Sequence, residues 1–167
     1  IDQFLNVISL DNGKESVKDN LTFIKNYRTY DLYINQSIKL GKTSELLNID
    51  NILNFNGLIF KATLDDKINE NDKYTAYFDC DKIKFPLTIR YRQNGDKFKP
   101  YGMNNNKKLK NFFIDEKVDR NLRDKIPLII SNDEIIWIVG HRVSNDFKVD
   151  KTTSNILKIE VKNDKWY

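Results

Sequence analysis

The side chains with the clearest chemical potential in this sequence are basic ones, and they are concentrated in one segment. Residues 87–125 carry 11 Lys/Arg and 5 Asp/Glu, a net charge of +6. Residues 1–86 carry 11 Lys/Arg and 13 Asp/Glu, a net charge of −2, and residues 126–167 carry 6 of each kind. The whole chain is only +4, so its positive excess is local. A local basic patch is what a polyanion such as a nucleic acid requires of its partner.

Two pairs of these cations have the spacing of a strand, in which residues two apart project from the same face. Arg90 and Arg92 lie on a predicted strand, and Lys97 and Lys99 repeat the spacing after a turn at Gly95. Arginine has a planar fork that suits phosphate, whereas lysine acts as a point charge. Cations grouped in this way can meet several phosphates of a duplex backbone.

The other candidate cations of the segment are predicted on helices. Lys107, Lys108 and Lys110 are expected to line the outer face of one helix, and Arg120 and Arg123 share a face of a second one at i, i+3. The solvated surface of a lysine-rich protein would show the same pattern. Charge alone therefore leaves open whether this face binds RNA or only water.

The sequence offers few candidate residues for catalysis, for metal binding or for a nucleotide-binding loop. His141 is the only histidine and Cys80 the only cysteine, so a His/Cys zinc cluster cannot form within the chain. The six glycines are isolated from one another, which excludes a Walker loop and a dinucleotide-binding fingerprint. The acidic pairs Asp65-Asp66 and Asp79/Asp81 are typical of solvated surface. We expect no catalytic residue and no bound metal, and we expect His141 to be a strand-end or turn residue after Gly140.

Short strands and a few helices must position the basic residues. Apolar periodicity predicts strands over Leu21–Lys25, Tyr30–Ile34, Asn56–Leu64, Tyr74–Phe78, Pro86–Gln93, Leu128–Ile130, Glu134–Val139 and Ile156–Val161. Turn residues predict turns at Asn12-Gly13, Asp19-Asn20 and Asn132-Asp133. Helices are predicted over Ile1–Ile8, over Lys107–Ile114 and from an Asp119 cap to Lys125. The elements follow no regular βαβ repeat, so the predicted class is α+β.

The aromatic residues of the basic segment divide between core and loop. Leu109, Phe112 and Phe113 share the apolar face of the first of these helices, so we expect them in the core. Tyr101 lies in a loop-like Lys-Pro-Tyr-Gly stretch, and the sequence does not decide its exposure. Phosphate contact and recognition of helix shape therefore suit the segment better than base stacking.

The sequence also allows predictions about the domain boundary and the cellular compartment. The charged segment Asp65–Lys73 lacks periodicity, so we predict a boundary there, between residues 1–70 and residues 71–167. The chain opens at Ile1 rather than Met, and we expect a fragment of a longer protein. A single cysteine suits a reducing cytosol. No apolar run approaches the roughly 20 residues of a membrane span, so no membrane partner is expected.

Four ordered stretches resemble a known family. They are Leu87–Met103 (LTIRYRQNGDKFKPYGM), Lys107–Asp115 (KKLKNFFID), Arg123–Pro127 (RDKIP) and Trp137–Arg142 (WIVGHR). In this order they resemble the C-terminal domain of bacterial tRNA(Ile)-lysidine synthetases. The family pattern is an Arg-rich strand, Gly-Asp-Arg/Lys-Phe, a Pro-x-Gly-Met turn, Lys-Lys-Leu-Lys opening a helix, and a Trp-x-x-Gly-x-Arg hairpin. Residues 1–70 are similar to the more variable region that precedes that domain.

The resemblance implies a fold of small mixed sheets or a β-sandwich with a few short helices, related to a module of phenylalanyl-tRNA synthetase. It implies a parent ligase that uses ATP, magnesium and lysine to convert the wobble cytidine of the CAU-anticodon isoleucine tRNA to lysidine. That chemistry belongs to an N-terminal PP-loop domain whose adjacent glycines are missing here, so the fragment itself would hold no cofactor and would be inactive alone.

For the fragment, the resemblance implies recognition of the tRNA acceptor stem, in the cytoplasm, in partnership with the catalytic domain of its own chain. Gly95, Asp96 and Gly102 would shape the loops that present the cations, and Asp96 would orient a neighbouring Arg or Lys. Arg142 is a further candidate that lies outside the basic segment.

Two other functions stay open. An interaction module that forms a homodimer, or docks on the catalytic domain, would use exposed strand edges around Tyr30–Ile34 or Ile156–Val161. A tight, salt-insensitive dimer without affinity for tRNA would favour this alternative. A free-standing enzyme is the second alternative, and ATP turnover by the pure fragment would favour it.

Overall fold

The structure is a computed structural model that describes residues 11–12, 14–18, 21–34, 41–69 and 72–163. The helix predicted over Ile1–Ile8 lies outside these residues, as do the predicted turn residues Gly13, Asp19 and Asn20. The described chain forms two compact units, one of residues 11–34 and 111–125 and one of residues 41–110 and 126–163. In the described ranges no helix is both long and apolar enough to cross a membrane.

The first unit contains a three-stranded antiparallel sheet. Its strands are β1 (Glu15–Lys18), β2 (Leu21–Lys25) and β3 (Tyr30–Ile34), in the spatial order β1-β2-β3. β2 and β3 confirm two predicted strands. A hydrogen bond of 2.9 Å from the Asn26 N–H to the Thr29 carbonyl closes their connection. The buried Asn26 side chain also donates to Asp31 at 2.6 Å, which fixes the turn.

Two short helices follow one another in the chain, α1 (Leu109–Asp115) and α2 (Arg120–Arg123). The helix predicted from Lys107 begins two residues later, because Lys107 and Lys108 form a short strand instead. Phe112 and Phe113, like Leu109, are buried, which confirms the predicted apolar face.

Asp119 precedes α2 as predicted, but it does not cap the helix through its side chain. Its carboxylate instead accepts a hydrogen bond of 3.0 Å from the backbone N–H of Tyr27. The side-chain amide of Asn121 donates to Asp31 at 3.1 Å. Within the first unit, α2 is therefore tied by polar contacts to the loop and strand that follow β2.

The second unit is built from antiparallel sheets. Its strands are β4 (Ser44–Leu47), β5 (Ile52–Phe55), β6 (Leu58–Asp65), β7 (Thr75–Asp79), β8 (Leu87–Arg90), β9 (Lys97–Phe98), β10 (Lys107–Lys108), β11 (Leu128–Ser131), β12 (Glu134–Ile138), β13 (Arg142–Val143) and β14 (Ile156–Asn163). One sheet has the order β13-β12-β11-β8-β4, a second has the order β5-β6-β14-β7, and β9 and β10 form a two-stranded ribbon. Single 3₁₀ turns cover Cys80–Lys82 and Asn145–Phe147.

One core cluster is shared by the five-stranded and the four-stranded sheets. Leu157, Ile159 and Val161 alternate along β14 as buried residues, and Leu87 and Ile89 do so along β8. Each large apolar side chain contributes roughly 1.5–3 kcal/mol when it is fully buried, so the shared cluster holds the two sheets together. These small antiparallel sheets with few helices confirm the predicted fold class.

β14 is a central strand, which corrects one expectation from the sequence. It pairs with β6 along one side and with β7 along the other, so Ile156–Val161 has no open edge for self-association. The strands on either side of residue 70 thus belong to one sheet, and the domain division at that residue stays a prediction. β3 does lie at an end of its own sheet within the described residues.

Residues with positive φ make two tight hairpins. Asn132 (φ 46°) and Asp133 (φ 69°) join β11 to β12, as predicted. Asn56 (φ 54°) and Gly57 (φ 86°) join β5 to β6, so the strand expected from Asn56 begins at Leu58. Two-residue turns of this kind match the twist of antiparallel strands, and Asn, Asp and Gly tolerate their backbone best.

Candidate nucleic-acid interface

The β9-β10 ribbon carries exposed cations of the basic segment. Lys97 lies opposite Lys108 in the antiparallel register, and Phe98 lies opposite Lys107. Directly opposed residues project from the same face of a ribbon. Phe98 is buried and Lys107 is half-buried, whereas Lys97 and Lys108 are exposed. One face of the ribbon therefore enters the core of the unit and the other carries two lysines in solvent.

Lys97 and Lys108 form an arrangement that costs stability on its own. Like charges directly opposite each other destabilise a sheet, and neither side chain forms a salt bridge with a residue in the described ranges. Lys110, the second residue of α1, is exposed as well. An anion placed over Lys97 and Lys108 would offset their mutual repulsion with two attractions.

The turn that leads into β9 is held by a paired arginine and aspartate. Both Nη atoms of Arg90 donate to the two carboxylate oxygens of Asp96, each at 2.9 Å, and the side chains are only 15% and 11% exposed. Burial opposes ionisation of Asp96. The hydrogen bonds from Arg90 and from the Gln93 N–H, with the charges of Arg90 and Arg92, outweigh burial and hold the pKa of this carboxyl below its ordinary value.

Arg90 therefore has a positioning contact in the turn, as expected for a partner of Asp96. Its predicted contact with RNA phosphate stays a prediction without geometric support. The predicted strand Pro86–Gln93 ends at Arg90, so Arg92 follows the strand rather than sharing its face and is half-buried. Lys99 is partly neutralised, because its Nζ lies 2.7 Å from the Asp146 carboxylate.

Arg120 and Arg123 belong to the first unit, where both lie on α2. Arg120 is exposed. Arg123 is half-buried, and its Nε donates to the Val118 carbonyl at 2.9 Å. The i, i+3 spacing on one helix agrees with the predicted shared face, while Lys97, Lys99, Lys107, Lys108 and Lys110 belong to the second unit.

The two predicted loop-shaping glycines both have left-handed backbone. Gly95 has φ 92° and Gly102 has φ 83°, a region that side chains with a Cβ disfavour. Gly95 is the second residue of the Asn94-Gly95 turn before β9. Gly102 follows Tyr101, and its N–H donates to the side chain of Asn145 at 3.1 Å.

A groove of about 440 Å³ lies in the second unit beside this loop. Tyr101 stands at its rim with 52% of its surface exposed, and Trp137, 2% exposed, contributes to its wall. Arg142 and Lys148 also line it, and the Lys148 Nζ lies 5.7 Å from the Tyr101 ring centroid. His141 lines it from an exposed turn, one of the two positions expected from the sequence.

The sequence did not predict this groove. Its lining residues come from separate stretches, and Lys73 and Lys148 are isolated lysines without a local pattern. The only signal was that the stretches Leu87–Met103 and Trp137–Arg142 both carry the family resemblance. Across the described residues, no group of three or more His, Cys, Asp or Glu is placed to hold a metal ion.

Comparison with a solved structure identifies the fold. A structure described as the TILS C-terminal domain superposes with a TM-score of 0.62, over 72% of this chain and 97% of that one, at 21% identity. At this identity the match shows the fold, that of a TILS-type C-terminal domain.

Sequence comparison then gives the family. Residues 87–161 match the family model described as the TilS substrate C-terminal domain. The tRNA(Ile)-lysidine synthase of Caldanaerobacter subterraneus subsp. tengcongensis is 43% identical over 77% of this chain and 30% of its own length. That of Clostridium tetani is 37% identical over 99% of this chain and 37% of its own. The chain belongs to the tRNA(Ile)-lysidine synthase family as its C-terminal region, and it spans about a third of the length of these relatives.

Proposed function

We propose that this chain is the tRNA-recognition part of a tRNA(Ile)-lysidine synthase, and that it binds the acceptor stem of the isoleucine tRNA with a CAU anticodon. Family membership supports tRNA as the substrate class. The observation that carries the binding role is the exposed, directly opposed pair Lys97 and Lys108 on the β9-β10 ribbon.

The ribbon suits a duplex backbone better than a base. Lys97 and Lys108 are point charges on one face, and successive phosphates of a strand are also regularly spaced like charges. Proteins recognise A-form RNA mainly through its shape, its phosphates and its 2′-hydroxyls. Lys110 would extend the contact by one further phosphate. The Arg90–Asp96 pair would set the turn from which the ribbon starts.

The other predicted cations would contact the RNA beside the ribbon or from the first unit. Arg92, Lys99 and Lys107 would flank the ribbon contact from half-buried positions. Arg120 and Arg123 would form a separate contact from the first unit.

The parent enzyme would supply the chemistry that this region lacks. Its N-terminal catalytic domain would use ATP, magnesium and lysine to modify the wobble cytidine, in the cytoplasm. The C-terminal region would raise affinity for the correct tRNA by holding the acceptor stem while the anticodon reacts elsewhere.

Binding of the chain to three RNAs over a salt series tests the proposal. The RNAs are the CAU-anticodon isoleucine tRNA, its isolated acceptor-stem hairpin and an unrelated tRNA. We expect salt-dependent binding that is retained on the acceptor hairpin, with affinity falling by roughly 0.7–0.9 in log–log slope for each phosphate contacted. A chain that ignores all three RNAs at low salt, yet forms a salt-insensitive dimer, would contradict the proposal and support the interaction module.

A further inference from the structure

The groove beside Tyr101 has no role in the duplex contact proposed above. It lies wholly within the second unit, and it combines an exposed aromatic ring, an apolar wall and several cations. We propose that this groove binds one unstacked nucleotide, with the base against Tyr101 and the phosphate against Arg142 and Lys148.

The Tyr101 ring is held on a firmly anchored loop. Pro100 forms an isolated β-bridge with Ser144. The Tyr101 N–H donates to the Val143 carbonyl at 3.1 Å, and the Asn145 N–H donates to the Lys99 carbonyl at 2.8 Å. A half-exposed ring whose backbone is fixed on both sides loses little conformational entropy when a base stacks on it.

The wall of the groove is apolar and belongs to the core. Trp137 is 2% exposed and Tyr77 is 8% exposed, and both line the groove. The volume of about 440 Å³ falls in the range of small-ligand sites, roughly 300–1,000 Å³. The groove therefore has room for a base and its sugar but not for a stacked duplex.

The charge of the groove selects an anionic ligand. Among the described residues, Lys73, Arg142 and Lys148 line it together with one carboxylate, that of Asp72. The Lys148 Nζ lies over the Tyr101 ring, 5.7 Å from its centroid. A base that stacks on this face would displace the ammonium from the ring, and the flexible lysine could then pair with the phosphate of the same nucleotide. Arg142 adds a planar guanidinium, the group best matched to phosphate.

The ligand must be unstacked, because the bases of a duplex do not expose their faces to an aromatic ring. Two sources share this chemistry, a single-stranded end of a bound RNA and a free mononucleotide. The RNA-end source rests on the proposed function, since it requires RNA to be bound by the same chain. The mononucleotide source is independent of it.

The test uses the whole chain and two versions of the acceptor-stem hairpin, one blunt and one with a short single-stranded 3′ overhang. A stacked base contributes enough to predict roughly 5- to 100-fold tighter binding of the overhang RNA. Tyr101→Ala should remove that preference and leave the blunt affinity unchanged. Tyr101→Phe should keep it, and so should Tyr30→Ala, which removes a tyrosine of similar exposure (50%) outside the groove.

AMP is titrated against the same variants as the second arm. Tyr101-dependent binding of AMP without an overhang preference would support the groove and assign it to free mononucleotides. Equal affinity for the two hairpins, together with no Tyr101-dependent binding of AMP, would overturn the inference. Binding of the blunt hairpin is measured separately. If the unmodified chain does not bind the blunt hairpin, that result counts against the duplex contact, and the AMP titration alone then decides whether the groove binds a nucleotide.

Discussion

Lys97 and Lys108 occupy directly opposed positions of a two-stranded ribbon, and both are exposed. Their repulsion lowers the stability of the unbound protein, so Lys108→Gln should raise its free energy of unfolding by a few tenths of a kcal/mol, within the roughly 0.2–1 kcal/mol range of cross-strand pairs. Urea unfolding at low salt measures this change, and the gain should shrink at high salt as the charges are screened.

Lys61→Gln is the matched control for that experiment. Lys61 is also an exposed strand lysine, but it lies opposite Glu160 across β6 and β14. Losing it removes an attraction, so this variant should be slightly less stable than the unmodified protein. Changes of the same sign in both variants would argue against repulsion as the cause.

Asp96→Asn should destabilise the second unit by about 2–3 kcal/mol, the scale of hydrogen bonds to a charged group. The substitution removes the charge that pairs with Arg90 through two bonds of 2.9 Å, and it leaves a largely buried guanidinium without its counter-ion. Urea unfolding at pH 7 measures the loss. Asp133→Asn, at an exposed turn position, should change stability by less than about 0.5 kcal/mol.

Acid should weaken the fold in a defined pH window. The pKa of Asp96 is held below its ordinary value, and hydrogen bonds from Thr152 and Lys82 lower the pKa of Asp150 to about 2. A carboxyl with a lowered folded pKa stabilises the protein above its unfolded pKa, roughly 3.9, and loses that contribution as pH falls through the folded value.

Unfolding midpoints in urea should therefore fall between about pH 4 and about pH 2. The fall should be shallower in Asp96→Asn, which has no carboxyl to protonate at that site. Parallel curves for the two proteins would show that the Arg90–Asp96 pair does not contribute to acid sensitivity.

Replacing Gly102 should lower the free energy of unfolding by an amount that depends on how well the new residue tolerates the left-handed backbone conformation. Its φ is 83°, and an added Cβ would meet no atom within 4 Å, so strain rather than a clash sets the penalty. We expect Gly102→Ala to cost about 1–2 kcal/mol and Gly102→Asn to cost less, because Asn tolerates the left-handed region better. Thermal unfolding of the two variants gives the order, and equal costs would contradict this explanation.

The elements predicted correctly are those whose own residues determine their environment. Leu157, Ile159 and Val161 alternate with polar residues, and that period alone places them on the core face of a strand. Phe112 and Phe113 share an apolar helix face for the same reason. Asn56-Gly57 is a dipeptide that favours a two-residue hairpin, so local sequence also accounts for the turn that replaces the first residues of the strand predicted from Asn56.

The remaining features depend on residues that are distant in the chain. Lys107 and Lys108 form a two-residue strand because they pair with Lys97 and Phe98, and a strand that short has no period to detect. Residue type and spacing identify Arg90 as a candidate for RNA binding. The contact of its guanidinium with Asp96 forms only when the turn between the two residues folds. The Tyr101 groove likewise exists because the Pro100–Ser144 bridge joins two separate stretches.

The salt dependence of RNA binding by a double variant tests the central claim most directly. Lys97→Ala/Lys108→Ala is compared with the unmodified chain and with Lys61→Ala/Lys84→Ala, which removes the same charge from exposed positions outside residues 87–125. On the acceptor-stem hairpin we predict that the ribbon variant lowers the log–log salt slope by about 1.5, the value for two lost phosphate contacts, while the control variant keeps its slope. An unchanged slope in the ribbon variant, with its fold intact, would contradict the claim that this ribbon binds the RNA backbone.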